Sequence, residues 1–178
     1  DAPQAVIDVG CGTGRNAVYL AEHGASVTAF DSSNTAVEAA SARLRTSPLS
    51  LRVNFLLHDL TEGLPCANAS VDLVTDIFVY KHQTSADQRK RYRGEVKRVL
   101  TKDGRLLLSL AEVADGYYSA CPPLQGSGHE GSRAIVDPVV NIGSVLFSLD
   151  ELINEMSDNF ALEMSWHKIK SGQMHGGT

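Results

Sequence analysis

The sequence has few cysteines and lacks both long apolar runs and a targeting signal. Its three cysteines, Cys11, Cys66 and Cys121, lie far apart and form no CxxC pair. This spacing argues against a secreted disulfide scaffold and is typical of a reducing compartment. No run approaches the ~20 apolar residues that span a bilayer, and the first residues have no signal-peptide pattern. We therefore predict a cytoplasmic protein without a membrane partner.

Positive charge and metal-binding patterns are also scarce. The chain has 16 basic and 21 acidic residues, a net charge of −5, and its six histidines form neither HxxxH nor HExxH. Because no global positive field attracts nucleic acid, we expect a small-molecule partner. Because the histidines lack metal-ligand spacing, we expect no metal. Six basic residues cluster in one predicted helix, where the spacing predicts a solvated face without stacking aromatics. They are Arg89, Lys90, Arg91, Arg93, Lys97 and Arg98.

What is present is the composition and rhythm of an α/β domain. The 178 residues, 43% hydrophobic and 21% charged, suit one domain of ~100 to 200 residues. Short apolar runs alternate with helical patterns, as in βαβ units with a parallel sheet. The predicted strands are 5–9, 26–30, 51–57, 71–77 and 105–111, and the predicted helices are 15–23, 35–44 and 85–100.

The later part of the chain departs from this rhythm. Residues 102–104 are predicted as a turn, and residues 116–141 as a long functional loop or lid, with weak order near 125–132. Residues 149–156 have a helical pattern. The last segment, 161–169, contains the only tryptophan, Trp166, and is predicted as a sixth strand.

The strongest chemical signal is a glycine-rich turn between the first strand and the first helix. Gly10, Gly12 and Gly14 follow Asp8, and Asp31 ends the second strand 17 residues after Gly14. Glycines at such a turn allow close approach of a ligand to a helix N-terminus. A carboxylate about 20 residues further on accepts hydrogen bonds from a ribose. The pattern predicts a nucleotide-like ligand.

The spacing of the turn favours one ligand class over others. Arg15 stands where a third glycine would complete GxGxxG, so a nicotinamide cofactor becomes the second choice. No lysine followed by Ser or Thr closes the turn, so a P-loop is unsupported. Two alternatives stay open at this point, a nicotinamide-dependent oxidoreductase and a cofactor-binding module that does no chemistry.

The stretch VIDVGCGTGRNAVYLAEHGASVTAFDSS resembles the nucleotide-binding half of class I S-adenosylmethionine-dependent methyltransferases. Residues 58–60, 71–78 and 100–108 resemble further motifs of this family, so the resemblance covers most of the chain. Residues 14–21 and 147–152 are similar to its tellurite-resistance-type branch. The resemblance implies transfer of a methyl group from S-adenosylmethionine, with S-adenosylhomocysteine as the product.

The resemblance also implies roles for individual residues. The three glycines would line the methionine and ribose, and Asp8 would orient the turn or the ammonium group. Asp31, followed by Ser32, would bind the ribose hydroxyls. The other implied cofactor contacts are Asp59 and the Leu60 N–H for the adenine, although Asp59 could instead cap a turn, and Asp76 and Phe78 beside the transferred methyl.

No invariant catalytic set follows from the resemblance. Methyl transfer depends mainly on orientation and exclusion of water. For an oxygen or nitrogen acceptor a general base helps, and His82 is the candidate, with a surface histidine as the competing interpretation. Tyr19, Tyr117 and Tyr118 could form an acceptor wall, although aromatics at such spacing are more often core.

The resemblance implies a Rossmann-like, doubly wound, three-layer αβα fold with a mostly parallel sheet in the order 3-2-1-4-5-7-6. The sequence supplies candidates for six of these strands, and the last strand has none. Without it the sixth strand would have unpaired backbone groups. We therefore expect residues 1–178 to form one S-adenosylmethionine-binding domain, truncated at both ends.

Overall fold

A computed structural model of the chain describes residues 4–124 and 133–168. The chain forms two compact units. One comprises the residues up to Tyr80 together with Gly94–Ser109, and the other Lys81–Arg93 together with the residues from Leu110 onward. The strands are β1 Ala5–Val9, β2 Ser26–Asp31, β3 Val53–Leu57, β4 Val71–Ile77, β5 Leu100–Ser109, β6 Arg133–Asp137 and β7 Ile142–Leu146. The helices are α1 Arg15–Glu22, α2 Asn34–Leu44, α3 Ala86–Val99 and α4 Leu149–Met156.

The first unit is built on a five-stranded parallel sheet in the order β3-β2-β1-β4-β5. The order predicted for the first five strands is confirmed, as is the Rossmann-like α/β class. In this order β1 and β4 are central neighbours, and their carboxyl ends lie at the same edge of the sheet. The glycine-rich turn after β1 therefore lies beside the turn after β4, where open α/β sheets bind ligands.

Small side chains position α1 against the sheet. Ala17 and Ala21 are buried on α1 and pack with Val6, Val27 and Ala29 of the central strands. Alanine lets the helix axis approach closely, and each buried valine contributes about 1.5 to 3 kcal/mol. This packing fixes the direction in which α1 leaves the turn.

The start of β5 contains an irregularity where a turn is predicted. Val71 of β4 lies opposite Leu100, whereas Leu73, two residues later, lies opposite Arg105. The residues between them, 101–104, bulge out of the ladder while the strand continues. The predicted turn is therefore a bulge inside β5, which accommodates extra residues without ending the pairing.

The second unit contains an antiparallel hairpin whose first strand, β6, lies within the predicted long loop 116–141, so that prediction is wrong for this strand. Strand β6 pairs with β7 along five residues, and a 3-10 helix occupies Tyr118–Ala120. Because each strand supplies the other's hydrogen-bond partners, the segment gains regular structure that its weak periodicity does not reveal. Residues 125–132 lie outside the described residues. The core of this unit comprises Ala111, Tyr118, Cys121, Ile135 and Leu146.

The prediction of a sixth strand at 161–169 is also wrong over its described part. Residues 161–168 have no regular secondary structure, and Leu162, Met164 and Trp166 are exposed. A strand needs hydrogen-bond partners on a neighbouring edge, and none pairs with this segment among the described residues. Residue 169 falls outside them. An alternating apolar pattern alone is insufficient without a partner edge.

The basic cluster on α3 is not simply a solvated face. Arg89 and Arg93 are buried, and both bind Glu155 of α4 within the second unit, at 2.6 and 3.0 Å. In the first unit, Arg98 binds Glu95 and donates to the carbonyl oxygens of Cys66 and Leu64. Half of the cluster therefore stabilises the fold, because buried guanidinium groups require acceptors.

Helices α2 and α4 begin with side-chain caps. Ser33 caps α2 by accepting a hydrogen bond from the Ala36 N–H, and Ser148 and Glu151 form a capping box at the start of α4. Helix α3 has 14 residues, fewer than the ~20 that a membrane span requires. Within residues 4–124 and 133–168, no helix has the length and apolarity to cross a bilayer.

Candidate functional site

The glycine-rich turn depends on glycine at two positions for steric reasons. Gly10 and Gly14 have φ of 60° and 76°, in the left-handed region. A Cβ on Gly10 would lie 2.3 Å from a methyl of Val79, and one on Gly14 would lie 2.7 Å from the ring of Phe55. At Gly12, by contrast, a Cβ would meet no atom within 4 Å. The turn thus packs tightly at both ends and leaves open space at its centre.

Asp31 joins the end of β2 to this turn. One carboxylate oxygen accepts a hydrogen bond from the Gly12 N–H at 2.9 Å, and the other accepts one from the Ser33 N–H at 2.9 Å. A carboxylate has about four acceptor positions, so each oxygen retains capacity for a hydroxyl donor. Asp31 therefore lies beside the open centre of the turn, and its contact with a ribose stays a prediction. Its neighbour Ser32 is exposed.

Asp8 is a carboxylate with only 1% of its surface exposed. Its Oδ1 accepts a hydrogen bond from the Thr75 hydroxyl at 2.7 Å, and its buried Oδ2 has no hydrogen-bond partner. Burial raises the pKa of Asp8 to about 6, while the Thr75 hydroxyl and the Ala17 N–H lower it and Asp76 raises it further. An unsatisfied buried oxygen of this kind suits a cationic donor from a ligand.

The turn after β4 is organised by Asp76, which is fully buried. Its Oδ1 accepts hydrogen bonds from the N–H groups of Val79 and Tyr80 at 2.9 and 3.1 Å. Phe78, which precedes these two residues in the turn, has a φ of 70° and a half-exposed side chain. Asp76 thus acts on the local backbone, and Phe78 is the residue of this pair that presents its side chain to the surface.

Asp59 caps the 3-10 helix Leu60–Glu62. Its Oδ1 accepts hydrogen bonds from both the N–H and the hydroxyl of Thr61, which lower the pKa of this exposed carboxyl. The neighbouring His58 ring lies edge-on to Phe30, with centroids 5.3 Å apart, and its Nε2 is 2.8 Å from the Gly63 carbonyl oxygen. The turn-capping interpretation of Asp59 therefore holds, and its role toward an adenine stays a prediction.

His82 lies in the second unit and is half-buried. Its Nδ1 is 3.0 Å from the Gly143 carbonyl oxygen and 3.1 Å from the Ser144 hydroxyl. A carbonyl oxygen only accepts, so in this contact Nδ1 carries the proton and Nε2 is the basic nitrogen. Burial lowers the pKa of His82, so the ring is neutral near pH 7. His82 is therefore not a freely solvated surface histidine, and its role as a base stays a prediction.

The three tyrosines suggested as an acceptor wall have different environments. Tyr19 is exposed on α1 beside His23, with ring centroids 4.2 Å apart. Tyr118 is buried in the second unit and its hydroxyl accepts a hydrogen bond from Lys81 at 2.8 Å. Tyr117 donates its hydroxyl to Asp137 at 2.9 Å. Tyr118 belongs to a core, in line with the usual role of aromatics.

Cys11, the cysteine in the glycine-rich turn, is not an activated thiol. Burial raises the pKa of Cys11 to about 12, and the carboxylates of Asp8 and Asp31 act in the same direction. Cys11 therefore packs as a small neutral side chain. Among the residues that the structure describes, no three His, Cys, Asp or Glu side chains are grouped in a way that could hold a metal ion.

Two residues of the site are not found by motif analysis. Thr75 holds Asp8 from the neighbouring strand, and Val79 packs against Gly10. Both lie in a segment whose sequence indicates only a buried strand and its exit. A hydroxyl inside that otherwise apolar run, VDLVTDI, is the one signal that points to Thr75.

The family model described as "Methyltransferase domain" matches residues 6–104. The chain is 39% identical over 105 residues to methyltransferase GfsG of Streptomyces halstedii, covering 58% of this chain and 36% of that protein. It is 34% identical over 121 residues to O-methyltransferase rstn1 of Aspergillus nomiae, covering 67% of this chain and 50% of that protein.

The fold is similar to that of a SAM-dependent methyltransferase from Methanosarcina mazei. The TM-score is 0.76 at 22% sequence identity, and the match covers 100% of this chain and 88% of that one. At this identity the likeness concerns the fold. The chain spans half or less of the length of the two curated relatives.

Proposed function

The chain belongs to the methyltransferase domain family, and we propose that it binds S-adenosylmethionine at the glycine-rich turn and transfers its methyl group to a small molecule. The proposal is carried by the buried Oδ2 of Asp8, which has no hydrogen-bond partner, together with the open space at Gly12 in the turn that follows Asp8. Asp8 Oδ2 can accept a hydrogen bond from a cationic group, and the open space at Gly12 can admit the ligand. The acidic chain, with a net charge of −5, favours a small acceptor over nucleic acid.

The proposed binding mode assigns each contact to a residue. Asp8 binds the ammonium group, Asp31 the ribose hydroxyls, and the segment beginning with Asp59 and Leu60 the adenine. Bound S-adenosylmethionine supplies a methyl group already activated on a sulfonium. Phe78 contributes an apolar surface beside that methyl, because water must be excluded while the acceptor is oriented.

The acceptor atom proposed is a hydroxyl oxygen, which is the chemistry named for the 34% identical relative. An oxygen acceptor loses a proton during transfer, so a neutral histidine assists. We propose that Nε2 of His82 accepts that proton. The three cysteines, none of which is in a disulfide, support a reducing, cytoplasmic location.

Calorimetric titration with S-adenosylhomocysteine tests the cofactor assignment. Asp31→Asn removes the charge without changing side-chain size and is expected to weaken binding by about 1 to 3 kcal/mol. Asp103→Asn makes the same change in the exposed bulge of β5, at the opposite end of the sheet, and leaves binding unchanged. Absence of wild-type binding at about 1 mM ligand contradicts the proposal.

Turnover of labelled S-adenosylmethionine across a panel of phenols and alcohols tests the reaction. His82→Gln is expected to lower the rate, whereas Ser144→Ala removes a neighbour of the ring and keeps the imidazole. Equal rates in wild type and His82→Gln contradict the base assignment. Cofactor binding without product from any acceptor favours a non-catalytic binding module.

A further inference from the structure

Asp8 and Thr75 face each other on adjacent parallel strands. They are register partners in the β1–β4 ladder, and both side chains are at least 98% buried. Paired residues of neighbouring strands project to the same face of a sheet. The 2.7 Å contact between Thr75 Oγ1 and Asp8 Oδ1 is therefore set by the sheet itself.

The Thr75 hydroxyl has one proton and two acceptors within reach. Asp8 Oδ1 is 2.7 Å away and the Ile7 carbonyl oxygen is 3.4 Å away. When Asp8 is ionised, the hydroxyl donates to the carboxylate, because this charge-assisted bond is shorter and stronger. When Asp8 is protonated, the carboxyl group can donate to Oγ1, and the hydroxyl proton then turns to Ile7. The pair thus has two hydrogen-bonding arrangements that differ by one proton.

The remaining groups around Asp8 leave its second oxygen unsatisfied. Thr75 and Asp76 face it from β4, the Ala17 N–H faces it from α1, and the Cys11 thiol lies within the turn. The Asp76 carboxylate favours the protonated form of Asp8, and the Cys11 thiol is neutral. Oδ2 of Asp8 has no hydrogen-bond partner. Without a ligand, a proton on Asp8 relieves part of this burial cost.

We propose that Thr75 is a positioning residue that reserves Asp8 Oδ2 for the ligand's ammonium group, so that ligand binding is coupled to loss of the Asp8 proton. This inference rests on the proposed function. On binding, the O–H bond of the carboxyl breaks, its proton passes to solvent, and Oδ2 accepts an N–H donor from the ammonium group. The carboxylate form is retained because a cation has replaced the proton.

The pH dependence of binding follows from the free protein. Burial raises the pKa of Asp8 to about 6, and the ammonium partner lowers it in the complex. Affinity is therefore full above this pKa and falls as pH decreases through it. From pH 7.5 to pH 5 the dissociation constant is expected to rise about tenfold.

Titration of the protein with S-adenosylhomocysteine between pH 5 and 8, in buffers of different ionisation enthalpy, tests this coupling. Wild type is expected to release a proton on binding near pH 6 and little above pH 7.5. Thr75→Val retains side-chain shape but removes the hydroxyl, so the inflection moves to higher pH. Thr75→Ser restores the hydroxyl and the wild-type inflection.

Two further variants separate positioning from general damage. Asp8→Asn weakens binding and removes the inflection, whereas Asp31→Asn weakens binding at every pH and keeps it. Binding that is independent of pH, or a Thr75→Val profile equal to wild type, overturns this inference and leaves the proposed function standing. No binding at any pH overturns both. If Thr75→Val does not fold, the proton release of wild type and Asp8→Asn still decides the outcome.

Discussion

Phe78 adopts a backbone conformation that few non-glycine residues tolerate. Its φ of 70° lies in the left-handed region, and its ring is 41% exposed, so burial explains little of its presence there. The conformation is imposed by its surroundings, since the Phe78 N–H donates to the Ser109 carbonyl oxygen and Asp76 holds the next two N–H groups. Strain of this kind persists where the surrounding structure over-determines it and is concentrated at functional sites.

Glycine is therefore expected to be tolerated better than alanine at position 78. Both substitutions remove the ring, but Phe78→Gly also relieves the left-handed strain. Its free energy of unfolding should therefore be up to about 1 kcal/mol higher than that of Phe78→Ala. Both should lose the proposed methyl-transfer activity. Chemical denaturation of the two variants measures the difference, and the same pair at Ile77, within β4, should show the opposite order. A more stable Phe78→Ala contradicts the strain argument.

Asp8 is expected to cost the fold stability in exchange for its place in the site. Its pKa rises from 3.8 when unfolded to about 6 when folded, so its contribution is favourable below pH 3.8 and is lost as pH rises to about 6. This difference between the folded and unfolded pKa corresponds to roughly 3 kcal/mol. Asp8→Asn should therefore become progressively more stable than wild type across that interval in urea unfolding. A constant difference between the two proteins over this range contradicts the assignment.

At the scale of elements, the glycine-rich turn and the turn after β4 are fitted to each other. Gly10 meets Val79 so closely that a Cβ would overlap its methyl group. Val79 is itself held by the Asp76 carboxylate. A change in one turn is therefore expected to be felt in the other, because packed interiors transmit small displacements.

Gly10→Ala is expected to destabilise the protein by roughly 2 to 4 kcal/mol, from steric overlap with Val79 and from its positive φ. Adding Val79→Ala should recover the overlap part and leave the φ part. Gly24→Ala supplies the control, because Gly24 has a φ of 97° but open space around it. Additive effects of Gly10→Ala and Val79→Ala in a double-mutant cycle contradict the contact between the turns.

Within the second unit, α4 carries Glu155, whose carboxylate both Arg89 and Arg93 bind. Glu155→Gln keeps the side-chain size but leaves the two buried guanidinium groups without that charge, at an expected cost of about 2 to 4 kcal/mol. Asp158→Asn, exposed just beyond the same helix, should change stability by less than about 0.5 kcal/mol. Thermal unfolding compares the two variants. Equal effects would show that the paired arginines matter little.

At the scale of the whole molecule, ligand binding should raise stability by mass action. S-adenosylhomocysteine at 100 times its dissociation constant adds about 2.7 kcal/mol, which for a chain of this size raises Tm by roughly 5 to 10 °C. NADH at the same concentration should leave Tm unchanged. Stabilisation by NADH alone would favour the oxidoreductase alternative. Asp31→Asn should need more S-adenosylhomocysteine for the same shift.

Much of the first unit could be predicted from local patterns. The run Ala5–Val9, the glycine spacing and Asp31 identify β1, the turn and the end of β2. The order of the five strands, which the family resemblance implies, is confirmed, and the alternation of strands and helices by itself predicts the parallel sheet. These features depend on backbone geometry and on neighbours within a few residues, which the sequence displays directly.

The errors concern segments whose structure depends on a distant partner. Residues 161–168 have an alternating pattern but no edge to pair with among the described residues, whereas β6 and β7 pair despite weak patterning. Likewise, the sequence predicts that Arg89 and Arg93 are solvent-exposed, because their partner Glu155 lies more than 60 residues away in the chain. Pairing and burial are long-range properties.

The candidate site divides along the same line. The residue types and spacing of the turn are sufficient to predict a nucleotide-like ligand, because glycine adopts the left-handed backbone of the turn most readily and Asp31 places a carboxylate at the end of β2. The register of β1 against β4 decides the environment of Asp8, which lies 67 residues from Thr75 in the sequence. It buries Asp8, brings Thr75 to one carboxylate oxygen and leaves the other oxygen without a hydrogen-bond partner. The pKa of a carboxyl group depends on the dielectric and the donors around it, and these exist only once the strands have come together.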